Sequence, residues 1–351
     1  MKKIFVLTAL CLMAFIGTAN NYRGDENQYR VEAKGIVEQT FDVSANPTLE
    51  MEGKYSDFII TTWDRPQIDF LVKITVKGND GKKVEARFST IDIELEQVGN
   101  KIMAKTVFGD YNYKNFNGSI SIKYYVKVPN DVIFDLDTKY GDITLDEANN
   151  KLKVDIKYGD LKADNINIDS AQNDQIFIKY GNANIDVIKK CSMDLVYGEA
   201  KINKCDYIDG VLKYSKIYIT SLNEGELENK FSTSRIEKAN KIKFVNTAYS
   251  DMKVSNCTNL LEADLKYSDL TATMISDTPY VDINSMYSDA VIHLKEDAIF
   301  NYSFETSYSD ISFKGFFDTE TIGTSGNRGN GESGRINVEA KYSDVKFRKI
   351  K

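Results

Sequence analysis

Histidine is nearly missing from this chain, with His293 the single copy among 351 residues. One histidine leaves no ordinary route to a Ser-His-Asp or Cys-His catalytic set, and no cluster has zinc-ligand spacing. Proline is almost as scarce, at four residues, and tryptophan occurs once. Because proline has no N–H to give to a ladder, its rarity permits long uninterrupted strands. Positive charge is in deficit too: 45 Lys and Arg against 52 Asp and Glu leave −7, which argues against nucleic acid or anionic lipid as a partner. Beyond the first twenty residues no apolar run approaches the length of a membrane-spanning helix. The glycines of 323–334 (GTSGNRGNGESG) lack the Lys-Ser/Thr ending of a phosphate-binding loop. No catalytic residue is singled out by context.

What the chain does carry begins with an address. Lys2 and Lys3, the apolar run Ile4 to Ile16 and the small residues Gly17-Thr18-Ala19 have the three-part grammar of a secretory signal peptide over residues 1–19. Leu10 precedes Cys11 where a lipidation site needs a small residue, so no lipid anchor is expected. The mature chain is therefore expected outside the cytoplasm, in the periplasm or at the cell surface.

Aromatics are abundant, with 21 Tyr and 18 Phe, and their placement decides the fold. A Tyr or Phe, a small residue and usually an acid recur at Tyr140, Tyr158, Tyr180, Tyr197, Tyr214, Phe231, Tyr249, Tyr267, Tyr287, Tyr308 and Tyr342. The steps between them are 18, 22, 17, 17, 17, 18, 18, 20, 21 and 34. A further copy, Tyr55-Ser-Asp, stands far upstream. Before each aromatic, positions −6 and −4 and often −2 are apolar, as in Leu152, Val154 and Ile156. After it, +3 and +5 are apolar, as in Ile217 and Ile219. Period 2 means strands. The even-to-odd change of phase cannot occur in a straight strand, so the chain must bend or bulge at the Ser/Gly-Asp pair. The aromatic itself falls in phase with the inward face before the bend.

Two short strands per period cannot bury a core alone, whereas stacked periods can. The pattern predicts an all-β, single-stranded parallel β-solenoid with rungs of about 18 residues over 136–351, with a glycine-rich loop at 315–335 explaining the long last step. That loop is expected to be flexible, with Phe316 and Phe317 beside it. Residues 20–135 read as a wider β region or cap continuous with the solenoid, with strands near 67–77, 84–97 and 119–128. Lys346-Phe-Arg-Lys-Ile-Lys351 looks like a charged final edge. A β-sandwich of regular hairpins is the alternative.

Stacking turns like residues into columns. The residues after Ser/Gly are Asp142, Asp160, Asn182, Glu199, Lys216, Thr233, Asp251, Asp269, Asp289, Asp310 and Asp344. Asp251, Asp269, Asp289 and Asp310 are candidate ligands for Ca²⁺, which favours hard oxygen donors; otherwise they are a solvated row of turn-capping carboxylates. No other cofactor is implied. The aromatic column is expected to be mostly packing; with its rings exposed it would serve instead as a sugar-binding platform. Cys205 and Cys257 fall three rungs apart, about 14 Å by strand spacing, and Cys191 points inward, so no disulfide is expected.

Several of these features together resemble the exported bacterial β-strand-repeat families of unknown function labelled "putative adhesin". They are Phe41-Asp-Val…Leu49-Glu-Met, Tyr55-Ser-Asp-Phe-Ile-Ile-Thr-Thr-Trp63-Asp, the strand end Val126-Lys-Val-Pro129 and the serial Tyr-Gly/Ser-Asp steps. The resemblance implies a parallel β-solenoid of the bacterial envelope with no established activity. The expected function is a non-catalytic, adhesin-like scaffold binding a protein or glycan. A Ca²⁺-dependent polysaccharide lyase and an envelope-sensing component are the alternatives.

Overall fold

The computed structural model describes residues 29–111, 116–169, 175–317, 323–329 and 334–350. The signal peptide expected at 1–19, with Cys11, lies outside the described residues. Among those described, the chain is all-β, with twenty-five strands and one short helix. No helix there is long and apolar enough to cross a membrane. Contacts divide the chain into two units, Met1–Asn165 and Ile166–Lys351.

In the first unit two open rows of strands face a shared interior. One row runs β1 (Val31–Asp42), β4 (Gln67–Gly78), β7 (Gly118–Pro129), β3 (Ser56–Trp63) and β9 (Ile143–Ala148). The other runs β5 (Ile91–Val98), β6 (Lys101–Phe108), β2 (Thr48–Lys54), β8 (Ile133–Lys139) and β10 (Lys151–Lys157). The pairs β1–β4, β4–β7 and β5–β6 are antiparallel. The pairing is thus mixed, and the purely parallel arrangement expected from the repeat does not hold here. Between the rows lie Leu49, Met51, Phe58, Ile60, Phe70 and Phe134, all essentially buried. Tyr124 joins them, its hydroxyl 2.6 Å from Thr106 Oγ1, which in turn is 3.0 Å from Ser56 Oγ. Burial pushes the Tyr124 phenol well above its ordinary range.

The strand expected near 84–97 is a helix followed by a strand: α1 (Gly81–Phe88), then β5. Asp80 caps the helix by accepting the Lys82 and Lys83 N–H groups at 3.0 and 3.3 Å. Val84 and Phe88, four apart and buried, show the helical spacing that alternation concealed.

In the second unit the strands β13 (Asn182–Val196), β14 (Glu199–Lys213), β15 (Lys216–Lys230), β16 (Thr233–Ala248) and β17 (Asp251–Lys266) pair in parallel, each with the next. Each runs unbroken from one aromatic turn to the following one, so the two short strands expected per period are a single long strand in this stretch. The bend instead appears as two successive outward residues, Asn203 and Lys204 in β14. Beyond β17 the strand breaks into two. Its first half pairs with β18 (Asp269–Met274) and its second with β19 (Tyr280–Met286). β18 pairs with β20 (Asp289–Leu294).

Spatial order then departs from chain order. β24 (Gly334–Lys341) pairs with β19 on one side and β21 (Phe300–Ser307) on the other. β25 (Asp344–Lys349) likewise lies between β20 and β22 (Asp310–Lys314). The C-terminal turn is therefore internal, and the charged edge expected at Lys346–Lys351 is not an edge. The outermost turn is that of Tyr308. Part of the glycine-rich segment, β23 (Ser325–Arg328), pairs antiparallel with β21, which again makes the pairing mixed. Phe316 is buried against Phe300 and Phe313.

A hydroxyl spine runs along the second unit. The backbone N–H of Gly198 donates to Ser215 Oγ at 3.2 Å. Each serine N–H then donates to the Oγ of the serine one turn on: 215 to 232, 232 to 250, 250 to 268, 268 to 288, 288 to 343 and 343 to 309, all at 3.0–3.2 Å. Each Oγ donates in turn to the carbonyl two residues back, as Ser250 does to Ala248 at 2.8 Å. Where the small residue is glycine the next turn closes tighter. A Cβ on Gly198 would lie 1.9 Å from the Gly181 carbonyl, and one on Gly159 1.9 Å from that of Gly141, so only glycine fits.

Ser250→Ala orphans the buried Ser232 N–H. By the usual cost of an unsatisfied buried donor it should destabilise the fold by about 1–3 kcal/mol, readable as a lowered denaturation midpoint with an unchanged slope.

Candidate functional site

The repeat's surface feature is its aromatic file. Every turn aromatic, from Tyr55 to Tyr342, sits in the left-handed region with φ between 51° and 61°. For a bulky residue this backbone costs on the order of 1–2 kcal/mol. A left-handed residue also reverses the side from which its side chain leaves the strand. The bend is therefore at the aromatic, one residue earlier than the sequence pattern placed it, and the ring swings outward. The serine after it takes the interior: Ser215, Ser232, Ser250, Ser268, Ser288 and Ser343 are buried. The inward orientation expected of the aromatics is overturned.

The rings stack. In the first unit Tyr55, Tyr140 and Tyr158 follow at 5.3 and 5.0 Å between centroids. Phe108 meets Tyr55 edge-on at 6.0 Å and 88°, closing that end of the file. In the second unit the order is Tyr180, Tyr197, Tyr214, Phe231, Tyr249, Tyr267, Tyr287, Tyr342, Tyr308. The spacing is 4.9–5.1 Å and the tilts are 2–8°. Parallel planes at that separation are offset stacks, each worth about 0.5–1.5 kcal/mol beyond burial, which offsets the backbone strain. Within this file the rings are 42–53% exposed, rising to 83% at Tyr308. Their faces cover one another, so edges and hydroxyls meet solvent, and Tyr308, stacked on Tyr342 alone among the described residues, offers a free face. Lysines one residue ahead lean over their own rings, at 5.3 Å for Lys179 on Tyr180 and 5.9 Å for Lys266 on Tyr267.

The acidic column lies beside this file. Asp251, Asp269 and Asp289 are in register, but Asp344 stands between Asp289 and Asp310. The column is bonded within itself. Asp289 accepts the Asp344 N–H at 3.1 Å, and Asp142 accepts the Asp160 N–H at 2.8 Å. Asp251 is gripped by both Arg235 terminal nitrogens, at 3.1 and 2.6 Å. Among the described residues no group of three or more His, Cys, Asp or Glu side chains is placed to hold a metal ion. Asp137, in register with Asp155, has its carboxyl raised by burial and by that neighbour, with Lys157 and Lys153 opposing; this is a like-charge column on an outward face. His293 is half-buried between Thr273 and Arg348.

Cys191, Cys205 and Cys257 form no disulfide and are fully buried. The register places Leu222 and Ala239 between Cys205 and Cys257. Burial pushes both of those thiols up to about 12. Sequence reasoning found the columns but missed the serine spine, the Arg235–Asp251 fork and the Phe108 closure; the spine's serines recur as the small residue of the repeat, yet their hydrogen bonding shows only in three dimensions, and the other two occur once.

No protein-family model and no curated protein matches the chain. Solved structures similar to it include a "putative cell adhesion protein" from Clostridium sporogenes, 11% identical over 90% of this chain and 100% of that one, with a TM-score of 0.20. Another is a "putative lipid binding protein" from Parabacteroides distasonis, at 10%, 90%, 97% and 0.30. A third is a "putative adhesin" from Parabacteroides merdae, at 10%, 90%, 96% and 0.28. Likeness at that level leaves function to be read from this chain's own surface.

Two outcomes are expected. Tyr249→Ala keeps the left-handed strain and loses two stacking contacts, costing about 1–3 kcal/mol; Tyr249→Gly relieves the strain and should be tolerated at least as well, reversing the usual strand order. In thiol titration the folded mature chain should react at none of its three described cysteines, and all three should react in denaturant.

Proposed function

We propose that the chain is an exported, non-catalytic β-solenoid, an adhesin-like scaffold that holds a macromolecular partner along its outer surface in the periplasm or at the cell surface. Residues 31–135, which carry the Tyr55 turn, serve as the cap of the turns at Tyr140 and Tyr158. The observation that carries the reading is the file of half-exposed aromatic edges. From Tyr180 to Tyr308 ring centroids repeat every 4.9–5.1 Å, each ring but Phe231 carrying a phenol hydroxyl. A surface that repeats by translation suits a partner that is itself extended, a glycan or an extended protein segment, whereas catalysis needs one unlike constellation. With ring faces covered, the contacts available along the file are hydrogen bonds from hydroxyl edges and the neighbouring lysines.

The test immobilises the mature protein against a glycan array and envelope extracts. Tyr214→Phe, Tyr249→Phe and Tyr267→Phe combined should preserve the stack, because Phe231 already occupies it at 4.9 Å from both neighbours. Three lost hydrogen bonds of about 0.5–1.5 kcal/mol each predict at least a tenfold weaker retention. Capture of no partner, or equal capture by the triple variant, sinks the reading.

A further inference from the structure

The second unit ends on an unfinished turn. Inner positions of the Tyr308 turn are uncovered: Phe304 and Ile311 are half-buried and Thr306 is exposed. Their partners one turn inward, Val338, Val345 and Ala340, are 1%, 0% and 5% exposed. Tyr308 shows a free ring face at 83% exposure. Among the described residues β23 pairs with β21 over Phe300–Ser303, with the Phe304 N–H donating to the Thr324 carbonyl at 2.7 Å, and β22 pairs only with β25. A strand edge with uncovered apolar inner residues is a template for another chain.

The sequence of that edge selects its occupant. β22 reads Asp310-Ile311-Ser312-Phe313-Lys314. Laid antiparallel against a copy of itself about Ser312, it sets Asp310 opposite Lys314 of the other copy, and Ile311 opposite Phe313. Both charge pairs lie on the outward face and both apolar pairs on the inward one. Neither Asp310 nor Lys314 is in an ion pair with a described residue, unlike Asp344 one turn inward, which holds Lys346 at 3.0 Å. A slip of one residue would set inward positions against outward ones. Charges on an edge strand also serve to repel other chains, but an edge built for repulsion has no need of opposite charges placed symmetrically about its midpoint.

We infer that the mature chain forms a two-fold dimer through antiparallel pairing of β22 with β22 of a second copy. Such a contact is isologous, so each charge pair occurs twice. Sedimentation of the mature protein should show a monomer–dimer equilibrium. Asp310→Lys places like charges opposite each other at both ends of the pair, and so does Lys314→Asp. Each alone should raise the dimer dissociation constant about tenfold, from two cross-strand charge pairs made unfavourable. The double variant Asp310→Lys/Lys314→Asp should restore wild-type association, with thermal unfolding of all three confirming an intact fold. A wild-type chain that stays monomeric at every concentration overturns the inference. So do single variants that associate like wild type, and so does loss without rescue in the double variant.

Discussion

Everything in this chain hangs on an unfavourable backbone conformation repeated at each turn. A tyrosine held at φ near 55° is a cost that an isolated hairpin could not carry. Here each one is met by the ring of the next turn and, where serine follows the aromatic, by a hydroxyl that accepts a backbone N–H on one side and donates to a carbonyl on the other. These compensations exist only between turns. A single repeat would keep the strain and forfeit the remedy, so the unit of stability is the contact between neighbours. The same bend explains the sequence rule of even apolar positions before the aromatic and odd ones after it.

The architecture was legible where columns carry it. Spacing located the turns, and alternation identified the inner residues on both sides: Leu152, Val154, Ile217 and Ile219 are all buried. Ring direction was not legible, because counting by twos assumes extended backbone and a left-handed residue breaks the count at the position of interest. The helix at Gly81–Phe88 escaped for a related reason: Val84 and Phe88 sit four apart, and only the Asp80 cap separates that pattern from a strand. The antiparallel strands of the first unit alternate as parallel ones do, so alternation located β4 and β7 but carried no sign of their pairing direction.

The candidate surface was half legible. Its members were found, but stacked rings and a buried core aromatic leave the same trace in sequence, and exposure separates them only in three dimensions. The acidic column looked like a ladder of equivalent carboxylates. In the structure its members differ: Asp251 is claimed by Arg235, Asp289 by a backbone N–H, and Asp344 intervenes where chain order placed Asp310 next.

That intervention has a consequence for assembly. The segment Gly334–Lys349 is synthesised after both of the turns it separates, yet it occupies the slot between them, with β24 meeting residues 55 positions earlier in β19. Growth of this end cannot proceed by adding turns in order. The Tyr308 turn must remain undocked, or be docked and then lifted, until Gly334–Lys349 has followed it. A prematurely ended chain would thus be missing an interior course of the stack, with the outer one left nothing to rest on.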